Sequence, residues 1–328
     1  MAQKAEMQGK SSIKDKLGSI TSLFTVIGAL IALIVFFSLT SPYFLSVKNF
    51  LNIGMYAAII GCVCCSVTFV NIAGMMDISI GSQVAVVGMV VAVASRAEIA
   101  WPLIIVLGLL TGMACGSVNG FLVTVFKLNA FITTIATMQT LRGVAYLISN
   151  GMSLTIANPP LQFIGRGRIG GFPFALIIML VAYVIFHIIS KYTVFGRQVY
   201  MIGGNPQASF LAGVKVNAMR FKIYLLNGLM AGVAGIILAA QTGSGMPNAA
   251  ATYNMTALSA VILGGAALTG GKGTIFGTFL GSMVIAILQN GMTLLNVGAY
   301  WQDIIIGLVL IVSVSIDAIK GGSLKRKI

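Results

Sequence analysis

An all-α polytopic membrane protein of about ten transmembrane helices is the fold class this sequence predicts, on three observations. Hydrophobic residues make up 58% of the 328 and charged residues 8%, whereas an ordinary soluble domain is about one quarter charged. There is too little charge to cover a water-exposed surface. Apolar runs long enough to span recur along the chain and strand-like alternation is absent, which favours helices over a barrel. The net charge of +14 gathers at the ends of apolar runs, where it sets topology and meets anionic headgroups; nothing points to nucleic acid.

Residues 1–21 hold Lys4, Lys10, Lys14 and Lys16 and read as a cytoplasmic N-terminal tail. They are not a cleavable signal, because a polar stretch leads into a full-length span with no clear cleavage motif. The transmembrane domain runs 22–319, with spans at 22–40, 51–71, 80–95, 101–126, 130–148, 172–190, 223–241, 255–268, 274–295 and 301–319. The third is short, and a break containing Asp77 precedes it. Residues 320–328, ending LKRKI, form a cytoplasmic C-terminal tail.

Ten crossings can be checked against charge. With both termini inside, the cytoplasmic segments collect the two tails, Lys127, Lys272 and the central loop. The outer segments hold only Lys48, Arg96, Arg166 and Arg168. That bias is what fixes orientation. Dropping one of the first six crossings would put the N-tail and the central loop on opposite sides. Trp101 and Trp301 then fall at the outer interface, where aromatic belts form.

The central loop, 191–222, carries Lys191, Arg197, Lys215, Arg220 and Lys222 and no acidic residue. Residues 206–214 within it form a short helix capped by Asn205 and closed by Gly213. That helix is either a docking element for a soluble partner or an ordinary surface helix. Elsewhere Gly112, Gly116 and Gly120, and again Gly273, Gly277 and Gly281, are spaced four apart, which lets helix backbones approach closely in lipid. If spans 2–5 match 7–10, the halves are inverted, an arrangement common in transporters. A chain with 39 glycines also yields such spacings by chance.

Asp77 is the most informative acid, because a carboxylate near a bilayer is functional or buried against a partner. It caps the next helix, lines a solute path or carries protons. Arg142 on span five shares a face with Thr134 and Met138 at i, i+4 and i+8. With Asp77, Ser79 and Asn129 these residues form a candidate path lining. Cys62, Cys64, Cys65 and Cys115 lie in apolar runs with no histidine or acid close by, so they read as small core residues and not as a metal site. GGAALTGGKGT is not a phosphate loop, since Ala266 and Gly273 stand where the pattern needs Gly and Ser or Thr. One histidine, in span six, gives no catalytic device, and no cofactor is called for.

Several stretches in order resemble the membrane permease subunit of ribose-type ABC sugar importers: MMDISIGS at 75–82, NAFITTIATMQTLRG at 129–143, FGRQVYMIGGNPQASFLAGVKV at 195–216, ALSAVILGGAALTGGKGTIFGTFLG at 257–281, and YWQDIIIGLVLI near the end. The resemblance covers about 40–317. One departure is that Met75 and Met76 stand where the family has Gly-Gly. The resemblance implies a non-catalytic subunit of a bacterial plasma membrane importer that moves a monosaccharide by alternating access. It implies three partners: a cytoplasmic ATPase, an extracytoplasmic sugar-binding protein, and a second permease copy or paralogue. It also implies that Gly204, Asn205, Ala208, Leu211, Ala212 and Gly213 dock on the ATPase. The alternative is an ion-coupled secondary transporter of a small polar solute, with Asp77 and Asp303 as carriers.

Overall fold

The computed structural model describes residues 23–320, with side chains as far as 315. The predicted tails, 1–21 and all but Lys320 of 320–328, lie outside the described residues. All ten predicted apolar segments contain a helix. Six are long and apolar enough to cross a membrane: α1 (Leu23–Thr40), α2 (Val47–Ile72), α4 (Trp101–Thr124), α7 (Phe174–Tyr192), α10 (Val216–Thr242) and α12 (Ile275–Leu294). The other four are α3 (Ile80–Arg96), α5 (Ala130–Ser149), α11 (Tyr253–Leu263) and α13 (Ala299–Lys320). With 11 residues, α11 reaches only about half-way through a hydrocarbon core of about 30 Å.

The hub is α2. It is apolar on every side, and 89% of its most apolar window is buried, as expected for an all-round apolar helix inside a bundle. Cys62, Cys64 and Cys65 are among its buried residues and Cys115 is buried on α4, so the cysteines sit in the core as predicted. Polar pairs fix how α12 lies on α2. Asn290 Nδ2 donates to Asn49 Oδ1 at 3.0 Å, and the hydroxyls of Thr68 and Thr278 are 2.8 Å apart.

Packing repeats itself between the halves. α4 lies on α10 as α12 lies on α2. α3 packs on α4 and α10 as α11 packs on α12 and α2, and α5 meets α3 as α13 meets α11. Each half also contains a break. α2 is followed by Gly74 and α10 by Gly243, both at φ 70, and each glycine opens a turn that leads to a short helix. At the first break Gly74 N–H donates to Asn71 O and Met75 N–H to Val70 O, the glycine-closed helix end that only a residue free of Cβ adopts cheaply.

The glycine stripe on α4 does what its spacing predicts. A Cβ on Gly112 would lie 2.3 Å from Gly228 O, and one on Gly116 2.3 Å from Tyr224 O, so α4 and α10 touch backbone to backbone. Gly120 faces the Phe221 ring. The second stripe needs a correction. Gly277 and Gly281 press on Gly264 O and Ala260 O of the α11 segment, a different neighbour from that of the first stripe. Gly273 is not on the helix, which starts at Ile275 after the N-cap Thr274. It sits in the preceding loop at φ 147 against Ala266 and Ile72. Spacing alone does not separate a helical glycine from a loop glycine.

The central segment is more ordered than a loop with one helix. It holds α8 (Val194–Gly204) and α9 (Pro206–Leu211), and α10 begins at Val216 instead of 223. Thr193 caps α8, its Oγ1 accepting from Gly196 N–H at 3.1 Å. Arg220 and Lys222 therefore sit in the first turns of α10, so the charge that looked like loop decorates a helix end. The segment between the fifth and sixth predicted spans, 149–171, also contains structure. β1 (Leu154–Thr155) pairs antiparallel with β4 (Ser244–Gly245), α6 (Pro159–Arg166) follows, and β2 (Arg168–Ile169) pairs with β3 (Phe172–Pro173).

Candidate translocation and docking sites

Asp77 is buried at the centre of a polar knot. Its Oδ1 accepts from the Ser79 backbone N–H at 2.8 Å and from Ser79 Oγ at 2.5 Å. Its Oδ2 accepts from Gln83 Nε2 at 3.0 Å and from Asn227 Nδ2 at 2.8 Å. Asn119 Nδ2 reaches Ser79 Oγ at 2.8 Å and the carboxylate at about 3.4 Å. Nearby, Tyr224 OH donates to Met76 O at 3.0 Å. The carboxylate thus ties the α2–α3 turn to α3, α4 and α10, and its lone pairs are filled by neutral donors. It is not the cap of α3. The N-cap is Ser79, which makes no side-chain capping bond, and Asp77 holds the turn one step earlier.

The predicted face of α5 meets the other break. Arg142 Nη1 donates to Pro247 O at 2.7 Å and to Ala249 O at 2.8 Å, pinning the turn before α11. Asn254 Nδ2 approaches Met138 Sδ at 3.8 Å. Thr134 does not join them, because it is buried and its hydroxyl bonds back to Ala130 O at 2.9 Å. Asn129 is the N-cap of α5, accepting from Phe131 and Ile132 N–H. Ser79 belongs to the knot. Of the six residues read as path lining, Asp77 alone borders the small cavity between the first break and α11, and Met138 meets Asn254, another of its lining residues. Asn71, Met76, Ile78, Asn254 and Leu258 also line it.

The docking candidate is a shorter helix than the predicted 206–214, ending at Leu211, with Asn205 and Gly213 at its two ends. Asn205 Oδ1 accepts from Ala208 N–H at 3.0 Å. At the other end Gly213, at φ 84, donates to Phe210 O while Val214 N–H reaches Ser209 O. Leu211 is 84% exposed and Phe210 70%, a large apolar surface on a short, polar-flanked turn. Phe210 was missed by sequence reasoning, although an aromatic in the polar stretch 204–213 was the signal.

Beneath this turn, three glycine segments meet. A Cβ on Gly203, at the end of α8, would lie 1.6 Å from Ile72 O and 2.6 Å from Gly271 N. Gly271 N–H donates to Ile72 O at 2.8 Å, and Gly270 stacks on Gly74. Tyr200 OH donates to Gly273 O at 2.9 Å, with Ser190 Oγ 3.1 Å away. Burial raises the Tyr200 phenol above its ordinary range, which keeps this donor protonated. The end of α8, the Asp77 break and the 264–274 loop therefore pack as one junction. Sequence reasoning missed Asn119, Asn227 and Gln83 as partners of Asp77 and Gly203 as a junction residue, although a polar residue inside an apolar run marks the first two.

Residues 49–314 match the family model described as branched-chain amino acid transport system / permease component. Ribose import permease protein RbsC of Bacillus subtilis is 36% identical over 307 residues, 93% of each chain. The probable ABC transporter permease protein YphD of Escherichia coli is 36% identical over 94% of this chain and 93% of its own. The L-arabinose ABC transporter permease protein AraH of Azospirillum brasilense is 34% identical over 92% of this chain and 89% of its own. No solved structure matches the chain.

Proposed function

The chain belongs to the branched-chain amino acid transport system / permease component family, a multi-pass inner-membrane protein, and from that premise we propose that it is the membrane subunit of an ABC importer for a monosaccharide. A separate cytoplasmic ATPase drives it by alternating access, an extracytoplasmic binding protein delivers the sugar, and two permease copies or paralogues complete the channel. The relatives that carry ribose and L-arabinose in their names support a pentose-like cargo. The single observation that carries the mechanism is α9: an exposed apolar tip, Phe210 and Leu211, on a turn whose base is locked by Gly203 to the Asp77 break. A partner gripping that tip moves the break directly. Gly204, Asn205, Ala208, Ala212 and Gly213 complete the docking surface.

Ten crossings with both termini cytoplasmic suit the packing. The break at 73–79, the end of α8 and the 264–274 loop meet at one end. The 149–173 segment meets the end of α10, where Arg166 Nε donates to Gln241 O and Gln241 Nε2 to Met55 O on the opposite half of α2. These groups match the predicted inner and outer segments. The reciprocal packing of α2–α5 and α10–α13 supports the inverted repeat. The saturated carboxylate of Asp77 supports ATP-driven transport over an ion-coupled carrier.

The test is co-expression with the ATPase. The permease alone hydrolyses no ATP and co-purifies with the ATPase. Gly213→Glu leaves hydrolysis running while uptake collapses. Uptake abolished by an uncoupler with ATP held constant would overturn the reading.

A further inference from the structure

The two breaks run toward each other from opposite ends of the bundle and meet where Gly81 backs onto Ala250 O, a contact with no room for a Cβ. Between the end of α2, the first break and the start of α11 lies a cavity of about 20 Å³, enough for one water-sized group. Two amides face it. Asn71, on α2, is 2% exposed, and its Nδ2 has no partner among the described residues. Asn254, in the first turn of α11, offers its Nδ2 only to the Met138 thioether, a weak acceptor. Leaving a buried amide donor unmet is costly unless something else meets it.

We propose that Asn71 and Asn254 form a hydroxyl-recognition point for a neutral polyhydroxyl solute on the translocation path, an inference that rests on the importer reading above. What the two amide N–H2 groups lack is an acceptor. The Asp77 carboxylate on the rim disfavours an anion, and because its own oxygens are filled it does not compete for the solute. A neutral oxygen fits between the amides. Met76, Ile78 and Leu258 supply an apolar wall for the carbon body that carries it. In the closed arrangement the space admits one oxygen. A whole sugar passes when α11 and the break separate, with one hydroxyl read by the amides on the way.

The test uses the complete transporter, reconstituted with its ATPase and binding protein. Uptake of D-ribose, L-arabinose and D-galactose is compared with that of their monodeoxy analogues. The wild type favours the parent sugar over at least one analogue by about tenfold. Asn71→Leu, of similar size, brings that ratio close to one, and Asn71→Ser restores part of it. The same binding protein delivers every sugar, so its own preference cancels between variants. A ratio unchanged in Asn71→Leu overturns the inference, whether or not total uptake falls. If that variant fails to assemble, Asn254→Leu is read the same way. A wild type that hydrolyses ATP with its partner yet moves none of the three sugars sinks the sugar-importer reading, and this inference with it.

Discussion

At Asp77, the chemistry is decided by what is absent as much as by what is present. No cation approaches the carboxylate among the described residues that bond it; four neutral side chains and one backbone N–H hold it. Replacing one oxygen by an amide puts a donor against donors, so the knot fails in a way that simple deletion of charge does not capture. Asp77→Asn should lower the stability of the purified protein by about 2–4 kcal/mol, read as earlier thermal unfolding in detergent. Gln83→Leu, which removes one donor and leaves the acceptor partly served, should cost less. Equal losses in the two variants would mean that Asp77 is not the organising group. The sequence made Asp77 visible because a lone acid between apolar runs stands out. It hid the donors, since Asn119 and Asn227 lie 42 and 150 residues away in sequence and only packing brings them together. The Met75–Met76 departure has a similar lesson. The bend survives because Gly74, one residue earlier, takes φ 70.

At the scale of elements, periodicity and end signals carried the bundle. Apolar length located all ten segments, and Asn205, Thr193 and Thr274 each cap a helix by accepting a backbone N–H. What stayed hidden were the helices without an apolar run, α6 and α8, and the partner of each glycine. Gly203 is the case that matters for function. Nothing in MIGGN distinguishes Gly203 from Gly204, yet Gly204 faces open space while Gly203 is pressed on Ile72 O. The two alanine substitutions therefore separate. Gly204→Ala, whose Cβ meets no atom of this chain, should leave folding near wild type and lower uptake less than Gly203→Ala. Gly203→Ala must push α8 off the break, so uptake should fall severalfold in the assembled complex while ATP hydrolysis continues. Equal behaviour of the two variants in that assay would show that the junction does not transmit motion.

For the whole molecule, the strongest constraint is which loops share an end. Gly74, Gly203 and Gly270 belong to three segments far apart in the chain, yet they touch. Whatever side of the membrane one occupies, all occupy. The predicted inner loops with Lys272 and the central basic residues are these segments, so one positive-inside argument covers all three. On the proposed topology the 149–173 segment, bound to the end of α10, lies on the other side. Cysteine labelling reads this directly, because the four native cysteines are buried and give little background. Leu211→Cys should react with an impermeant maleimide in inside-out vesicles and stay silent in intact cells. Met152→Cys, at an exposed position in the 149–173 segment, should do the reverse on this topology. Lys272→Cys should follow Leu211→Cys, since the glycine junction allows no other arrangement. Labelling of Leu211→Cys from outside would invert the bundle, detach α9 from any cytoplasmic engine and remove the basis of the importer reading. Labelling of Lys272→Cys and Leu211→Cys from opposite sides would contradict the fold itself.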